Sequence, residues 1–253
     1  RRFLIEELLQ ERPSCRRQEI PADTDRQKVL LRSLMNVRHP GAISQRFLEV
    51  QDAYLQGELA AKKITRLSEL SPIQNGIYLW RGDITTLDCG AIVNAANSGM
   101  TGCYQPCHNC IDNCIHTFAG VQLRLKCAEI MEQQGYEEPT GQAKITPAYN
   151  LPCDYVIHTV GPIVRGELTR QHCELLKSCY RSCLELADEN NVGSIAFCCI
   201  STGIFMFPND RAAEIAVQTV QEYKAETGSK IEVVFNVFKE QDERIYRKLL
   251  SAD

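Results

Sequence analysis

Six thiol and imidazole side chains lie within one span of 14 residues near the middle of the chain: Cys103, Cys107, His108, Cys110, Cys114 and His116. Thiolate and imidazole are the ligands that zinc prefers in proteins, so this density indicates a metal site. A catalytic zinc site uses three protein ligands and leaves a fourth position for water or substrate, whereas a structural site is closed by four. The segment therefore predicts a bound zinc ion whose role depends on the number of its protein ligands.

Cys103, His108 and Cys110 are the ligands that the spacing favours, because they form the pattern C-x4-H-x-C within one loop. Residues two apart in an extended backbone point the same way, which would let His108 and Cys110 face one ion. Cys107 and Cys114 are rival ligands, since Cys110 and Cys114 are one turn apart if a helix begins early. We expect one zinc ion per chain with an open coordination position, and a closed structural site is the alternative.

Composition sets broad limits on function. The chain has 253 residues, a formal net charge of −4 and 13 cysteines. This charge and the lack of a basic stripe argue against nucleic acid as the main partner. No apolar run is long enough for a membrane span and no signal pattern is found, so we expect a cytoplasmic protein without a membrane partner. In a reducing compartment such a set of cysteines indicates packing and metal binding rather than a disulfide framework.

Apolar residues recur at helical spacing through residues 1–75, which indicates a helical N-terminal region. Pro13 is expected to end the first helix, Asp25 to cap a second, and a third helix to run from about residue 44 to residue 61. We expect this region to pack against the main domain, and docking of a protein substrate is the alternative.

Residues 76–253 show a different pattern, in which short apolar runs alternate with amphipathic segments. Strands are predicted at 77–80, 91–95, 143–147, 155–160, 194–200 and 231–238. Helices are predicted at about 112–134, 168–190, 210–227 and 241–250. Strands that are separated by helices pair in parallel and form a sheet covered on both faces. This part of the chain is therefore predicted to be a three-layer α/β domain.

The ligands of such sheets lie beyond the carboxyl ends of the strands, so the loops there are candidate binding segments. These loops begin with Gly82-Asp83-Ile84-Thr85, Ala96-Asn97-Ser98-Gly99, Ser201-Thr202-Gly203-Ile204-Phe205 and Lys239. A glycine-containing turn that feeds a helix presents backbone N–H groups that can hold a phosphate. His158 lies inside an apolar strand, and we expect it to be a core histidine whose ring is hydrogen-bonded.

Five segments, GDIT, IVNAAN, CIHTFAG, STGIFMFP and VFKEQDERIYRKLL, follow one another between residue 77 and about residue 250. In this order they resemble a macrodomain, the α/β/α module that binds ADP-ribose, and the resemblance implies a mixed, mostly parallel central sheet. Most hydrolytic macrodomains carry a run of glycines after IVNAAN, where this chain has GCYQPCHNCID. That replacement and the helical N-terminal region resemble the zinc-containing macrodomains that remove ADP-ribose from proteins.

The resemblance implies a role for each matched position. Asp83 would accept a hydrogen bond from the adenine amino group, the N–H of Ile84 would face the base, and Phe238 would lie near it. Asn97 would face the distal ribose, and Asp112 matches the acidic position that macrodomain hydrolases use near the scissile bond. The backbone amides implied around the diphosphate are those of Ser201, Thr202, Gly203, Ile204 and Phe205.

Three positions need a separate interpretation. Met206 stands where macrodomains often have glycine or another small residue. His116 lies in CIHTFAG, which also resembles the helix of macrodomains without zinc, so we expect it to pack or to support the site. Asp112 would also suit the N-terminus of a helix, where the dipole favours a carboxylate, and the two roles are compatible.

These features predict a zinc-dependent hydrolase that removes mono-ADP-ribose from modified proteins, with Asp112 and Asn97 as its catalytic residues. The expected partners are ADP-ribose and a mono-ADP-ribosylated protein. Two alternatives use the same pocket. One is a reader that binds ADP-ribose without cleaving it and has a structural zinc, and the other is a deacetylase of O-acetyl-ADP-ribose. A zinc ion with an open position favours the enzymes over the reader.

Overall fold

Three helices lie within residues 1–60, and a short strand follows at Thr65–Arg66. The computed structural model describes residues 1–12 and 18–251. Its first three helices are α1 (Arg2–Gln10), α2 (Thr24–Val37) and α3 (Gln45–Ala60). Asp23 caps α2 by accepting a hydrogen bond from the Arg26 N–H at 2.8 Å, so the expected cap, Asp25, lies in the first turn instead. Pro13, expected to end the first helix, lies outside the described residues.

These three helices bury a small apolar core of their own. Its buried side chains are Leu4, Ile5, Leu8, Leu9, Leu31, Leu34, Met35, Phe47, Leu55 and Val121. Val121 comes from the part of the chain that contains the sheet, so the core is closed by a contact between the two regions. The helices therefore pack against the sheet-containing part and are not separated from it by a linker.

The strands in chain order are β1 (Thr65–Arg66), β2 (Ile77–Arg81), β3 (Leu87–Asp88), β4 (Ala91–Ala96), β5 (Ala143–Pro147), β6 (Tyr155–Val160), β7 (Ser194–Phe197) and β8 (Glu232–Val237). Six of them form one sheet in the order β2-β8-β7-β4-β6-β5, while β1 and β3 form a separate short pair. Neighbours in the large sheet are parallel except β5 and β6, which are antiparallel. The sheet is therefore mixed and mostly parallel.

Helices cover both faces of this sheet. The remaining helices are α4 (Ile111–Ala119), α5 (Val121–Gln134), α6 (Arg170–Glu189), α7 (Asn209–Thr227) and α8 (Glu240–Leu250). Helices α6, α7 and α8 pack side by side in one layer, while α4 and α5 contact each other, β4 and β5 in the other. Burial on both faces explains why β4, β7 and β8 are almost continuous apolar runs. The predicted three-layer α/β/α fold is confirmed.

Two predicted elements differ from the structure. The segment 112–134 is not one helix, because Gly120 adopts a left-handed φ of 98° and separates α4 from α5. The strand predicted at 194–200 ends at Phe197, and the three residues that follow belong to a loop at the carboxyl end of the strand. Among the described residues, no helix combines the length and the apolar character that crossing a bilayer requires.

Candidate active site

A cleft of about 1240 Å³ lies at the carboxyl ends of β2, β4, β7 and β8. Because these strands are close in the sheet, their loops meet although they are far apart in sequence. All thirteen residues that the sequence predicts for the site line this cleft: Asp83, Ile84, Asn97, Cys103, His108, Cys110, Asp112, Ser201, Thr202, Gly203, Ile204, Phe205 and Phe238. The sequence thus predicts the lining, and the role of each residue stays a prediction.

One end of the cleft is formed by the turn after β2. The Asp83 carboxylate accepts hydrogen bonds from the N–H and hydroxyl of Thr85, at 3.0 and 2.6 Å, and so caps a short helical turn. Lys62 reaches this carboxylate from the N-terminal region, with Nζ 3.6 Å from Oδ2. Phe238 is 78% exposed beside the same end. An exposed ring and a half-exposed carboxylate suit a planar base that carries an amino group.

The loop after β7 is held in an unusual backbone conformation. Ser201 and Met206 both have left-handed φ angles, of 65° and 57°. The Phe207 N–H donates to the Ser201 carbonyl, and the Val164 N–H donates to the Phe205 carbonyl, so the loop is fixed from both sides. A left-handed φ such as that of Met206 is adopted most easily by glycine, which fits the glycine that macrodomains often have at this place. The methionine side chain itself extends into solvent and is 73% exposed.

Gly161, which follows β6, supports this loop and is absent from the sequence-based prediction. A Cβ atom at Gly161 would lie 2.1 Å from the Ser201 Oγ and 2.9 Å from the Ile200 Cγ2. Among the described side chains, the buried Ser201 Oγ has no hydrogen-bond partner. A buried hydroxyl of this kind is available to a phosphate oxygen, in addition to the backbone amides of the loop.

The predicted metal ligands lie together at the other end of the cleft, in residues 102–110, which we name the metal-binding loop after that prediction. The ligand atoms of Cys103, His108 and Cys110 all lie within 4.8 Å of one another. The Cys103 Sγ and the His108 Nδ1 are 3.8 Å apart. Two ligands of one tetrahedral zinc, with bonds of about 2.0–2.3 Å, stand about 3.5 Å apart, so this donor set fits the ion.

The two rival cysteines point elsewhere. The Cys107 thiol lies 3.5 Å from the Val29 carbonyl, and the Cys114 Sγ lies 3.7 Å from the Arg32 guanidinium. Burial, with a contribution from the neighbouring Cys103 thiol, raises the pKa of Cys110 to about 12. Binding of a zinc ion would therefore displace protons from this site. The structure groups the three favoured ligands and leaves the ligand assignment itself a prediction.

Asp112 lies in the first turn of α4, two residues after Cys110, and is 5% exposed. Its carboxylate accepts hydrogen bonds from the Asn94 amide at 2.8 Å and from the Asn97 amide at 3.4 Å. Burial raises the pKa of Asp112 to about 6, although the Asn94 hydrogen bond and the Arg124 charge both lower it. A carboxyl group with such a pKa can hold or accept a proton near neutral pH.

A buried group of His116, Cys127 and His158 lies next to Asp112, and its potential ligand atoms are within 4.8 Å of one another. The His158 ring is hydrogen-bonded to Asn94 at Nδ1 and to the Thr146 hydroxyl at Nε2, as expected for a core histidine. Burial lowers the pKa of His158 to about 3 and lowers the pKa of His116 well below its usual range. Both imidazoles are therefore neutral, which suits support of the site and requires no metal ion.

The His116 Nε2 lies 3.6 Å from the Asp112 Oδ1, beyond a normal hydrogen bond. Asn94 links Asp112 to His158, because its amide nitrogen donates to the Asp112 carboxylate and contacts the His158 Nδ1. The sequence-based prediction missed Asn94, Lys62 and Gly161. Asn94 is the first asparagine of the NAAN segment, so its position in that segment was an available signal.

Comparison of the sequence with known proteins identifies its family. Residues 93–216 match the Macro domain family model. A "Protein-ADP-ribose hydrolase" of Treponema medium is 63% identical over 98% of this chain and 97% of its own length. The chain belongs to the macrodomain family. A protein with the same name from Staphylococcus aureus strain MSSA476 is 49% identical, over 99% of this chain and 95% of its own.

A solved macrodomain of Trypanosoma brucei in complex with ADP-ribose has the same fold as this macrodomain. It superposes with a TM-score of 0.66 at 30% identity, covering 86% of this chain and 94% of its own. The wide coverage means that the similarity extends beyond the segment that the family model matches.

Proposed function

We propose that this macrodomain is a zinc-dependent hydrolase that removes mono-ADP-ribose from modified proteins. The observation that carries the proposal is that Cys103, His108 and Cys110 lie at the same end of the cleft as the buried carboxyl group of Asp112. The names of the relatives from Treponema medium and Staphylococcus aureus support the hydrolase activity. The solved complex of the Trypanosoma brucei protein supports ADP-ribose as the bound group.

In this proposal the cleft holds ADP-ribose along its length. Asp83 and Phe238 take the adenine, the loop from Ser201 to Phe205 takes the diphosphate, and Asn97 faces the distal ribose. The Asn97 amide donates to the Gly102 carbonyl and to Asp112, so it fixes the carboxyl group against the turn after β4. The distal ribose then lies between Asp112 and the three metal ligands.

The reaction breaks the bond between the anomeric carbon of the distal ribose and the side chain of the modified protein, and water adds to that carbon. Asp112 takes the proton from the water or orients it, because its raised pKa suits proton transfer near pH 7. A bound zinc ion would supply a Lewis acid beside the ribose hydroxyls. The leaving side chain receives a proton and departs through the open end of the cleft.

A chelation experiment tests the proposal. A mono-ADP-ribosylated protein is incubated with the purified chain and 1,10-phenanthroline, and free ADP-ribose is followed with time. The isomer 1,7-phenanthroline, which does not chelate, is the matched control. We expect the chelator alone to abolish release and added zinc to restore it, while calorimetry shows that ADP-ribose still binds.

Three results would contradict the proposal. Release at an unchanged rate from zinc-free protein would make the metal structural. Binding without release from any modified protein offered would make the chain a reader of ADP-ribose. Release of acetate from O-acetyl-ADP-ribose, with no release of ADP-ribose from proteins, would make it a deacetylase.

A further inference from the structure

The metal-binding loop is in contact with helix α2 of the N-terminal region. The Arg32 Nη2 donates to the His108 carbonyl at 2.7 Å and to the Asn113 Oδ1 at 3.1 Å. The same nitrogen lies 3.7 Å from the Cys114 Sγ. One cationic nitrogen of α2 thus holds the backbone of a predicted zinc ligand and a side chain of α4. Charge-assisted hydrogen bonds of this kind are stronger than neutral ones.

Asn36 makes the second contact from α2, one helical turn after Arg32 and on the same face. Its Oδ1 accepts a hydrogen bond from the Cys107 N–H at 2.8 Å, and its Nδ2 donates to the Thr117 hydroxyl at 2.8 Å. Asn36 is 1% exposed, so both bonds are made away from solvent. Cys107 has a left-handed φ of 52°, which costs free energy for a residue with a side chain and needs support from its surroundings.

The two contacts hold the peptide group between Pro106 and Cys107 and the peptide group that follows His108. Asn36 fixes the N–H of the preceding residue, and Arg32 fixes the carbonyl of His108 itself. Asn113 of α4 completes the arrangement by donating to the Cys103 carbonyl at 3.3 Å and to the Gln105 carbonyl at 2.9 Å. Within the loop itself, the His108 N–H bonds to the Gln105 carbonyl at a long 3.3 Å. The loop therefore depends on side chains of neighbouring helices for its shape.

We infer that Arg32 and Asn36 are positioning residues for the metal site, so that α2 holds His108 in place to bind the ion. This inference rests on the proposed function, because it takes Cys103, His108 and Cys110 as the zinc ligands. Metal ligands need geometry defined to about 0.5 Å, which a loop without ladder hydrogen bonds does not supply alone. Loss of a contact that orients a ligand typically weakens metal binding by about 10- to 100-fold.

The test measures zinc retention in the full chain, independently of hydrolysis. Zinc-loaded protein is mixed with a chromophoric chelator, and the rate of zinc transfer is recorded for the wild type, Arg32→Met and Asn36→Ala. Arg32→Met keeps the aliphatic stem and removes every donor. Arg26→Ala is the matched control, since Arg26 is an exposed residue at the start of the same helix. We expect about 10- to 100-fold faster transfer for both test variants and an unchanged rate for Arg26→Ala.

Two further measurements separate positioning from general destabilisation. The cobalt-substituted proteins should show altered thiolate-to-metal and d–d absorption bands for Arg32→Met and Asn36→Ala, whereas calorimetry should show unchanged binding of AMP at the Asp83 end of the cleft. Arg32→Lys keeps a cationic donor and should restore part of the zinc retention. If Arg32→Met fails to fold, the comparison of Arg32→Lys with Asn36→Ala decides the question by the same readouts.

Wild-type zinc transfer rates and wild-type cobalt spectra in both test variants would overturn the inference and leave the proposed function intact. A wild type that holds zinc but does not cleave would overturn the proposed function and leave the inference intact. A wild type that binds no zinc at all would overturn both.

Discussion

At the scale of single residues, Asp112 shows opposing effects on one carboxyl group. Burial disfavours its charge, while the Asn94 hydrogen bond and the Arg124 guanidinium favour it. Burial wins, and the pKa rises to about 6. The carboxyl group lies directly after the metal-binding loop and accepts a hydrogen bond from Asn97, where the distal ribose is proposed to lie. A buried acid next to a predicted metal site is a better candidate for chemistry than an exposed one.

We predict that Asp112→Asn lowers the turnover number by about 10²- to 10⁴-fold, the usual contribution of a general acid or base. The amide keeps the size of the side chain, so the dissociation constant of ADP-ribose should change little. Rates of ADP-ribose release and calorimetric titrations measure the two quantities. Asp210→Asn on the exposed surface of α7 is the control. Equal losses of affinity and turnover would mean that Asp112 only shapes the pocket.

His158 gives a prediction about stability and pH. Its folded pKa of about 3 lies below the unfolded value of about 6.5, so its contribution is fully present above pH 6.5 and is lost as pH falls towards 3. The ring faces Asn94, Thr146, Cys127 and the neutral His116.

We therefore expect the free energy of unfolding to fall by up to about 1.4 kcal/mol per pH unit below pH 6 from this residue alone. His158→Gln, which cannot titrate, should show a flatter dependence. Urea unfolding between pH 7 and pH 5, with a chelator in every sample to remove metal effects, measures both slopes. Parallel slopes for the two proteins would show that folding does not lower the pKa of His158.

At the scale of elements, the loop after β7 depends on the close approach of the loop after β6. We predict that Gly161→Ala weakens ADP-ribose binding by about tenfold, because a methyl group there would displace Ser201 and Ile200 and cost roughly 1–3 kcal/mol. Gly193→Ala is the matched control, since a Cβ there meets no atom within 4 Å. Calorimetric titration with ADP-ribose measures the effect. Equal affinities for the two variants would show that the loop adapts to the added methyl group.

The sequence predicted most elements because their patterns are local. The strands at 143–147 and 155–160 are bounded by turn residues and match β5 and β6. The break at Gly120 was not predictable, because the apolar pattern continues through it. Gly120 has a φ of 98°, and a Cβ there would lie 2.5 Å from the Gln122 Oε1 and 2.6 Å from the Gln51 Nε2 of α3, so backbone conformation and packing between elements together require the glycine. Lys62 was also missed, because its contact with Asp83 joins two different elements and leaves no local sequence pattern.

At the scale of the whole molecule, the buried side chain of Arg124 joins the N-terminal helices to the sheet-containing part of the chain. Arg124 of α5 donates to the carbonyls of Met35, Asn36 and Arg38 at the end of α2, at 3.1, 2.8 and 2.6 Å. It also donates to the Thr101 carbonyl at 2.7 Å, next to the metal-binding loop. The last carbonyls of a helix need partners, and here a side chain of the sheet-containing part supplies them. This arrangement joins the two regions through buried hydrogen bonds.

We predict that the wild type unfolds in one calorimetric transition and that Arg124→Met produces two. The variant removes the hydrogen bonds that Arg124 donates to four backbone carbonyls, which destabilises the attachment of the N-terminal helices by about 3 kcal/mol or more. Differential scanning calorimetry measures the number of transitions. Arg181→Met removes the exposed ion pairs with Glu185 of α6 and Glu226 of α7 and a contact with the Tyr223 ring, all outside the N-terminal region, and should keep a single transition. A single transition in Arg124→Met at the wild-type Tm would show that the two regions are coupled by other contacts.

The strand order also fixes when each end of the cleft forms during synthesis. β2 pairs with β8, so that Ile77 lies beside Val233. The turn with Asp83 therefore gains its neighbouring strand only after β8 has left the ribosome, and until then β2 has an unpaired apolar edge. The contacts from α2 and α4 to the metal-binding loop, and the Arg124 contact to Thr101 beside it, lie between residues 29 and 124. The nascent chain can therefore order the metal-binding loop before the Asp83 end of the cleft has formed.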